Sequence, residues 1–472
     1  MKKLSVLFLS FAALVFTGCS EDDEKSSGSS NSVSFANPSL YIAEGSSQVQ
    51  LLFSKAVKGG GTITLNYTTT NVAYGTDFTT IPGAEGNAIE IPFEAGATEV
   101  TFTFNKLLPA GDGETKNVKF SITDVSVNAA ITGNSSIQVN LNEAPSLGAA
   151  IAAEVGGANQ PNQVYVDLTS GMMRMAERVS WDLGFYSGDQ FRVALNSSLR
   201  MSAKQLNTTD INAVVAPDES MLIGQGNGDA SQIDHPAGDI SQTAIAEVSD
   251  NDADNKVYLI NLGNGPSAST PSSGTEGSSA GPHRGWKKIR ILKSGSDYKL
   301  QYADINATTH QEVILSKNNA YNFVFFSFTA NSTVQVEPQA NQWDINFTTF
   351  TNVIEMPGAA IPYYYPDFIV TNTKGGARSY MVLTEDFTYD NFTLANVDDS
   401  KFTNDQRNIG SNWRSTSVMG PGGIPVSQFV LKTDRFFIVK DPMGNIYKLR
   451  MTGGASESGE RGFPKFQYAL LQ

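Results

Sequence analysis

Cysteine is nearly absent from this 472-residue chain: Cys19 is the only one, which excludes an intrachain disulfide framework and any thiolate-rich metal site. Histidine is almost as scarce. His235, His283 and His310 leave little for a multi-histidine metal centre, and no nucleophile-elbow pattern accompanies any of them. Positive charge is short as well. With 33 Lys+Arg against 47 Asp+Glu the net charge is −14, the wrong balance for a protein that must neutralise nucleic-acid phosphates. The sequence also has no HExxH and no Gly-rich phosphate loop, and scattered Asp/Glu pairs in a β-protein do not define a glycosidase dyad. The reading is therefore of a protein that is not an enzyme.

What is present begins with 40% hydrophobic and 10% aromatic residues against 17% charged, ample for packed cores, over a length that predicts more than one domain. Lys2 and Lys3 precede an apolar run, Leu4 to Phe16, that is too short and too abruptly polar afterwards to span a bilayer. It reads as a signal peptide over 1–18. Phe16-Thr17-Gly18-Cys19 resembles the lipobox of bacterial lipoproteins, which implies acylation of Cys19 and attachment to a membrane by lipid alone. The acidic cluster Ser20 to Lys25 resembles the surface-export signal of Bacteroidetes lipoproteins, and Ser26 to Ser32 is a Gly/Ser-rich spacer. A flexible tether over 19–33 and an outer-membrane, surface-exposed location follow.

Residues 34–144 alternate in hydrophobicity, as in Gln48-Val49-Gln50-Leu51-Leu52-Phe53, with Gly and Pro between the runs and no helical period. This predicts a β-sandwich. Tyr41 to Gly45, Ala73 to Phe78 and Phe93 to Thr98 follow in an order that resembles a Calx-β or related immunoglobulin-like module. Glu44, Asp77, Asp112 and Glu114 are its candidate calcium ligands by oxygen chemistry, but the acidic pairs of strong sites are missing. The favoured reading is a plain spacer.

Beyond residue 149 the chain repeats itself. Val164-Tyr165-Val166-Asp167-Leu168 leads to Trp181-Asp182-Leu183-Gly184-Phe185, as Val324-Phe325-Phe326-Ser327-Phe328 leads to Trp343-Asp344-Ile345-Asn346-Phe347. Lys256 to Ile260, Lys288 to Ile291 and Lys299 to Tyr302 have counterparts in Arg435 to Val439, Lys448 to Met451 and Lys465 to Tyr468. Two β-rich repeats are predicted, 149–318 and 319–472, the first carrying a Ser/Gly/Pro insert, Gly263 to Gly285, expected as a mobile loop.

The Trp-Asp strand, the Arg435 to Val439 strand with its following Asp-x-x-Gly-Asn turn, the Tyr447 to Arg450 strand and the ending Gly459 to Pro464 together resemble the HmuY-like haemophores of Bacteroidetes lipoproteins. The resemblance is strongest over 321–472. It implies an all-β protein that clamps haem between loops, takes it from a host or environmental haemoprotein and passes it to an outer-membrane receptor. It also implies pairs of His or Met as axial ligands, the second in a ligand-Gly-Pro loop. Met419, before Gly420-Pro421, matches that position, and His235, before Pro236, occupies the equivalent place in the first repeat. The first ligand of the family lies about thirty residues upstream, where the nearest candidate is Met381, with Met356 farther off. In the first repeat Met201 sits near that distance from His235, and Met221 is the alternative. The departure in the second repeat leaves open a single ligand or a tyrosinate from Tyr363, Tyr364 or Tyr365.

Met173 and Met175 share one side of a strand by its period of two and read as core. Tyr363-Tyr364-Tyr365, between prolines, reads equally as a stacking surface for a porphyrin or sugar ring and as an edge strand held by tyrosine packing. A surface adhesin binding glycans or matrix proteins, with no role in haem, is the rival function.

Overall fold

The computed structural model describes residues 31–36, 39–42, 45–108, 116–132, 135–141, 151–224, 228–269 and 280–471. Cys19, residues 20–30 of the expected tether, Glu44, Asp112 and Glu114 lie outside them, while residues 31–33, also counted to the tether, belong to the first strand. The chain is all-β, and its only helices among the described residues are single 3-10 turns.

The ten strands from Asn31–Phe35 to Ser136–Asn140 form two five-stranded sheets. Alternation decides which side faces inward: in Ser46–Phe53 it is Val49, Leu51 and Phe53 that are buried. Phe35, Phe78, Phe102, Phe104 and Phe120 fill the space between the sheets, Phe78 stacked on Phe104 at 5.1 Å.

In the remainder, the repeats exchange their leading strands. The first repeat opens with a hairpin, Asn162–Val166 and Met173–Glu177, that pairs with the long strand Ile345–Met356 of the second repeat. The second opens with Phe323–Ser327 and Ser332–Val334, which pair with Leu183–Tyr186 of the first. The registers match. Val164 faces Phe347 as Val324 faces Phe185, and Tyr165 faces Asn346 as Phe325 faces Gly184. The short strand ahead of the first hairpin crosses too, Ile151–Ala152 pairing with Arg461–Leu470, whereas Gln311–Leu315, ahead of the second, pairs with Asp297–Asp304 within the first repeat.

The landmark aspartates bolt this exchange together. Asp344 accepts the Leu168 N–H at 2.7 Å and Asp182 accepts the Phe328 N–H at 2.7 Å, each holding the end of the other repeat's hairpin. Asp182 also pairs with Arg284 at 2.7 Å. Asp344 lacks that guanidinium; burial first, then the neighbouring Asp167 and Asp441, push its carboxyl up to about 7.

Two bodies result whose limits do not coincide with the sequence repeat. One is a contiguous stretch from Leu183 to Val334, with a core of Leu183, Phe185, Met201, Ile260, Leu300 and Phe326. The other combines Ile151 to Glu177 with Ile345 to Leu470, around Val164, Ile345, Phe347, Trp413, Phe437 and Phe466. Tyr165, Trp181, Phe325, Val336 and Trp343 fill the seam between them. The insert expected as a loop begins and ends as a ribbon, because Asn264–Pro266 pairs with Ala280–His283. Met173 and Met175 pack on the core of the second body, as their spacing predicts.

Candidate functional site

Met419 ends the strand Arg414–Met419, which pairs antiparallel with Pro425–Leu431. The turn closes through Gly420 N–H to the Ile424 carbonyl at 2.9 Å, with Gly422 and Gly423 at φ of 76° and 75°, where a side chain would strain the backbone. The base of this hairpin is firmly set. Trp413 is buried against Phe429 at 5.8 Å, and Arg414 donates to the Pro366 carbonyl. Its tip is bare: Met419 is 74% exposed, Ile424 67% and Val426 43%. An arm anchored at one end and apolar at the other presents a thioether to solvent, an arrangement suited to contact rather than to packing.

Met381 does not share that exposure. It lies in Arg378–Leu383 opposite Phe437, packed against the core of the second body, and its Sδ accepts from Arg435 Nη1 at 3.4 Å. Met356 ends the strand Ile345–Met356. The tyrosine run is part of the strand Ala359–Thr371 at the edge of its sheet, so alternate rings face opposite ways. Tyr363 and Tyr365 contact each other at 5.1 Å on one side. On the other, the Tyr364 hydroxyl accepts from Arg178 at 3.2 Å and its ring lies 4.1 Å beneath the Arg200 guanidinium. Burial raises the Tyr365 phenol above its ordinary value, which opposes a tyrosinate ligand there.

In the first repeat, Met201 and His235 line one cavity, of about 150 Å³. Their exposures differ sharply. Met201 is 1% exposed within the core, as Met221 is at 0%, whereas His235 stands on the surface. The loop bearing His235 is tied from both bodies. Asp234 accepts the Leu195 and Ala244 N–H groups at 2.7 and 2.9 Å, Gln406 donates to the Pro236 carbonyl at 2.9 Å, and Lys374 to the Gly238 carbonyl at 2.9 Å. Burial pushes the Asp234 carboxyl up to about 6. Glu337, on the same cavity and 3% exposed, is pushed up to about 8, also by burial. A space this size falls below the roughly 300–1,000 Å³ of sites for drug-sized ligands, and it does not fit an enclosed porphyrin. Met201→Ala should thus cost about 2–5 kcal/mol in urea unfolding, as a core truncation does, and leave haemin affinity unchanged. A loss of haemin affinity at retained stability would restore Met201 as a ligand.

The remaining candidates are scattered. His283 Nε2 contacts Asn261 Oδ1 at 2.9 Å and His310 Nδ1 contacts Asn212 Oδ1 at 2.8 Å. Asp77 accepts the Ala73 N–H at 2.9 Å and pairs with Lys116 at 3.2 Å, which hold its carboxyl below the usual range. Among the described residues no group of three or more His, Cys, Asp or Glu side chains could hold a metal ion, and no helix is long and apolar enough to cross a membrane.

No curated protein matches the chain. Among solved structures, the apo form of the Calx CBD1 domain is 14% identical, with 24% of this chain and 98% of that one covered and a TM-score of 0.21. A two-domain protein of unknown function from Bacteroides fragilis NCTC 9343 is 12% identical over 65% of this chain and 86% of that one, with a TM-score of 0.18. The family model described as HmuY protein matches residues 159–316 and again 319–468. Those two stretches cover both repeats and well over half of the sequence, and by them the chain belongs to the HmuY family, whose pattern it carries twice.

Proposed function

We propose that this protein binds haem or a related porphyrin at the cell surface and passes it to an outer-membrane uptake system, without transforming it. Acylated Cys19 would anchor it, with the sandwich of residues 34–144 as a stalk. Family membership supports the porphyrin. The observation that carries the site is the bare tip of the 414–431 hairpin, where Met419 offers a soft thioether beside apolar Ile424 and Val426. Thioether sulfur is a known axial donor to haem iron, and an apolar neighbourhood suits the porphyrin face. The second repeat is thus the better binder, with His235 a lesser candidate because its cavity neighbour Met201 is sequestered in the core.

Haemin titration of residues 26–472, followed by absorption in oxidised and reduced states, tests this. A saturable, stoichiometric Soret shift is expected, and Met419→Ala should weaken binding by about tenfold or more, the equivalent of roughly 1.4 kcal/mol. Unchanged affinity in the variant would remove Met419 from the site. A non-saturating response in the parent would overturn the haem reading, leaving glycan or matrix-protein binding in its place.

A further inference from the structure

The seam cavity has the size of an engineered cavity known to hold benzene, about 150 Å³. Its walls are aromatic. Trp181 meets Phe325 edge-on at 4.7 Å and Trp343 meets Tyr165 edge-on at 4.9 Å, two contacts related by the internal duplication. Four lining residues also carry buried polar atoms with no hydrogen-bond partner: Gln163 Nε2, Trp181 Nε1, Trp343 Nε1 and Asn346 Oδ1. Each of these residues is at least nine-tenths buried. Buried polar atoms in native proteins are paired with few exceptions, so three donors and one acceptor gathered around a single cavity call for ordered water or a bound molecule there.

The chemistry narrows the identity of such a molecule. An apolar ring would leave the polar atoms unmet, and an anion would share the cavity with three carboxyl groups, Asp234, Asp239 and Glu337, against one ammonium, Lys374. A ring bearing an amide supplies carbonyl oxygen for the donors, N–H for Asn346, and a flat face or edge for the indoles. We propose that the seam cavity binds a neutral single-ring aromatic molecule carrying an amide or lactam group, separately from any porphyrin. The His235 loop borders the cavity, and Lys374 and Gln406 hold it across the seam by one side-chain hydrogen bond each, at 2.9 Å.

Benzamide is the probe, with benzene and benzoate as comparators, in titrations of the full chain read by tryptophan fluorescence and by melting temperature. Two of the four tryptophans line the cavity. Benzamide should bind saturably and about tenfold more tightly than either comparator, the worth of one to two hydrogen bonds. Gln163→Leu, which keeps volume but removes the amide, should weaken benzamide about fivefold, leave benzene unaffected and raise the melting temperature of the free protein. Trp343→Phe, which removes the N–H and retains an aromatic ring, should weaken benzamide in the same sense. Benzamide binding no tighter than benzene, binding indifferent to both substitutions, or no saturable response would each overturn the assignment.

Discussion

Asp367→Ala should cost about 3–5 kcal/mol of stability, because it strands buried guanidinium groups without their counter-charge. The Asp367 carboxylate accepts from Arg461 Nε at 2.9 Å and from its Nη2, lies 3.7 Å from Arg414 Nε, and accepts from Gln160 Nε2 at 2.8 Å. Arg461 is 2% exposed and Arg414 7%. The backbone adds to the effect, since Asp367 and Gln160 both sit at positive φ, 52° and 46°, where Asp is tolerated better than Ala. Asp367→Asn keeps the shape and the tolerance for that conformation, so it should cost less than Ala but more than a surface change. Urea unfolding of the full chain measures both. A loss below about 1 kcal/mol for the Ala variant, the level of an exposed ion pair, would show that the arginines find other partners.

Stability should also fall as pH rises from about 4.5 towards 8, and Glu337 contributes most, with the raised carboxyls of Asp344 and Asp234 adding in the same sense. The Glu337 carboxyl is pushed up to about 8 by burial, against the Phe323 N–H at 2.9 Å, Asn322 and the charge of Lys374, which all favour the ionised form. Arg174 and Tyr165 also face it. The folded state therefore holds a proton that the unfolded chain releases near its ordinary value. This contribution is fully present below about 4.5 and is lost as pH rises through the folded value, on the order of 5 kcal/mol in all at 1.36 kcal/mol per unit. Glu337→Gln keeps an acceptor for Phe323 and carries no charge. Its melting temperature should match the parent at pH 5 and exceed it clearly at pH 9. Two variants that track each other across that range would refute the assignment.

The strands were readable because alternation and Gly/Pro punctuation are local, and the duplication because five landmarks recur in one order. The exchange of hairpins was not, for a physical reason. Asp182 and Asp344 hold the same backbone position in either partner, and Val164 or Val324 could face Phe185 or Phe347 equally well by register, so the sequence is silent about which copy takes which. The Asp367 cluster was invisible for a related reason: Gln160 and Asp367 are 207 residues apart. Of the iron-ligand candidates, spacing grouped Met201 with His235, and both do line one cavity, yet spacing carries nothing of depth, and Met201 lies in the core. Met419 was singled out through the Gly420-Pro421 that follows it, and Gly422 and Gly423, just beyond, shape the turn that leaves it exposed.

The exchanged hairpins also set a timetable. As the chain leaves the ribosome, the strands Asn162–Val166 and Met173–Glu177 appear early, but their sheet partner Ile345–Met356 follows only after the whole intervening body has been made, roughly ten to thirty seconds later at ordinary synthesis rates. The intervening body has all its strands once Val334 is out and can close first. Its waiting neighbour is a ribbon whose Val164, Val166 and Met173 are destined for a core that does not yet exist. Completion of the fold is thus a late, long-range event, and a nascent chain that crosses a membrane before that moment crosses without it.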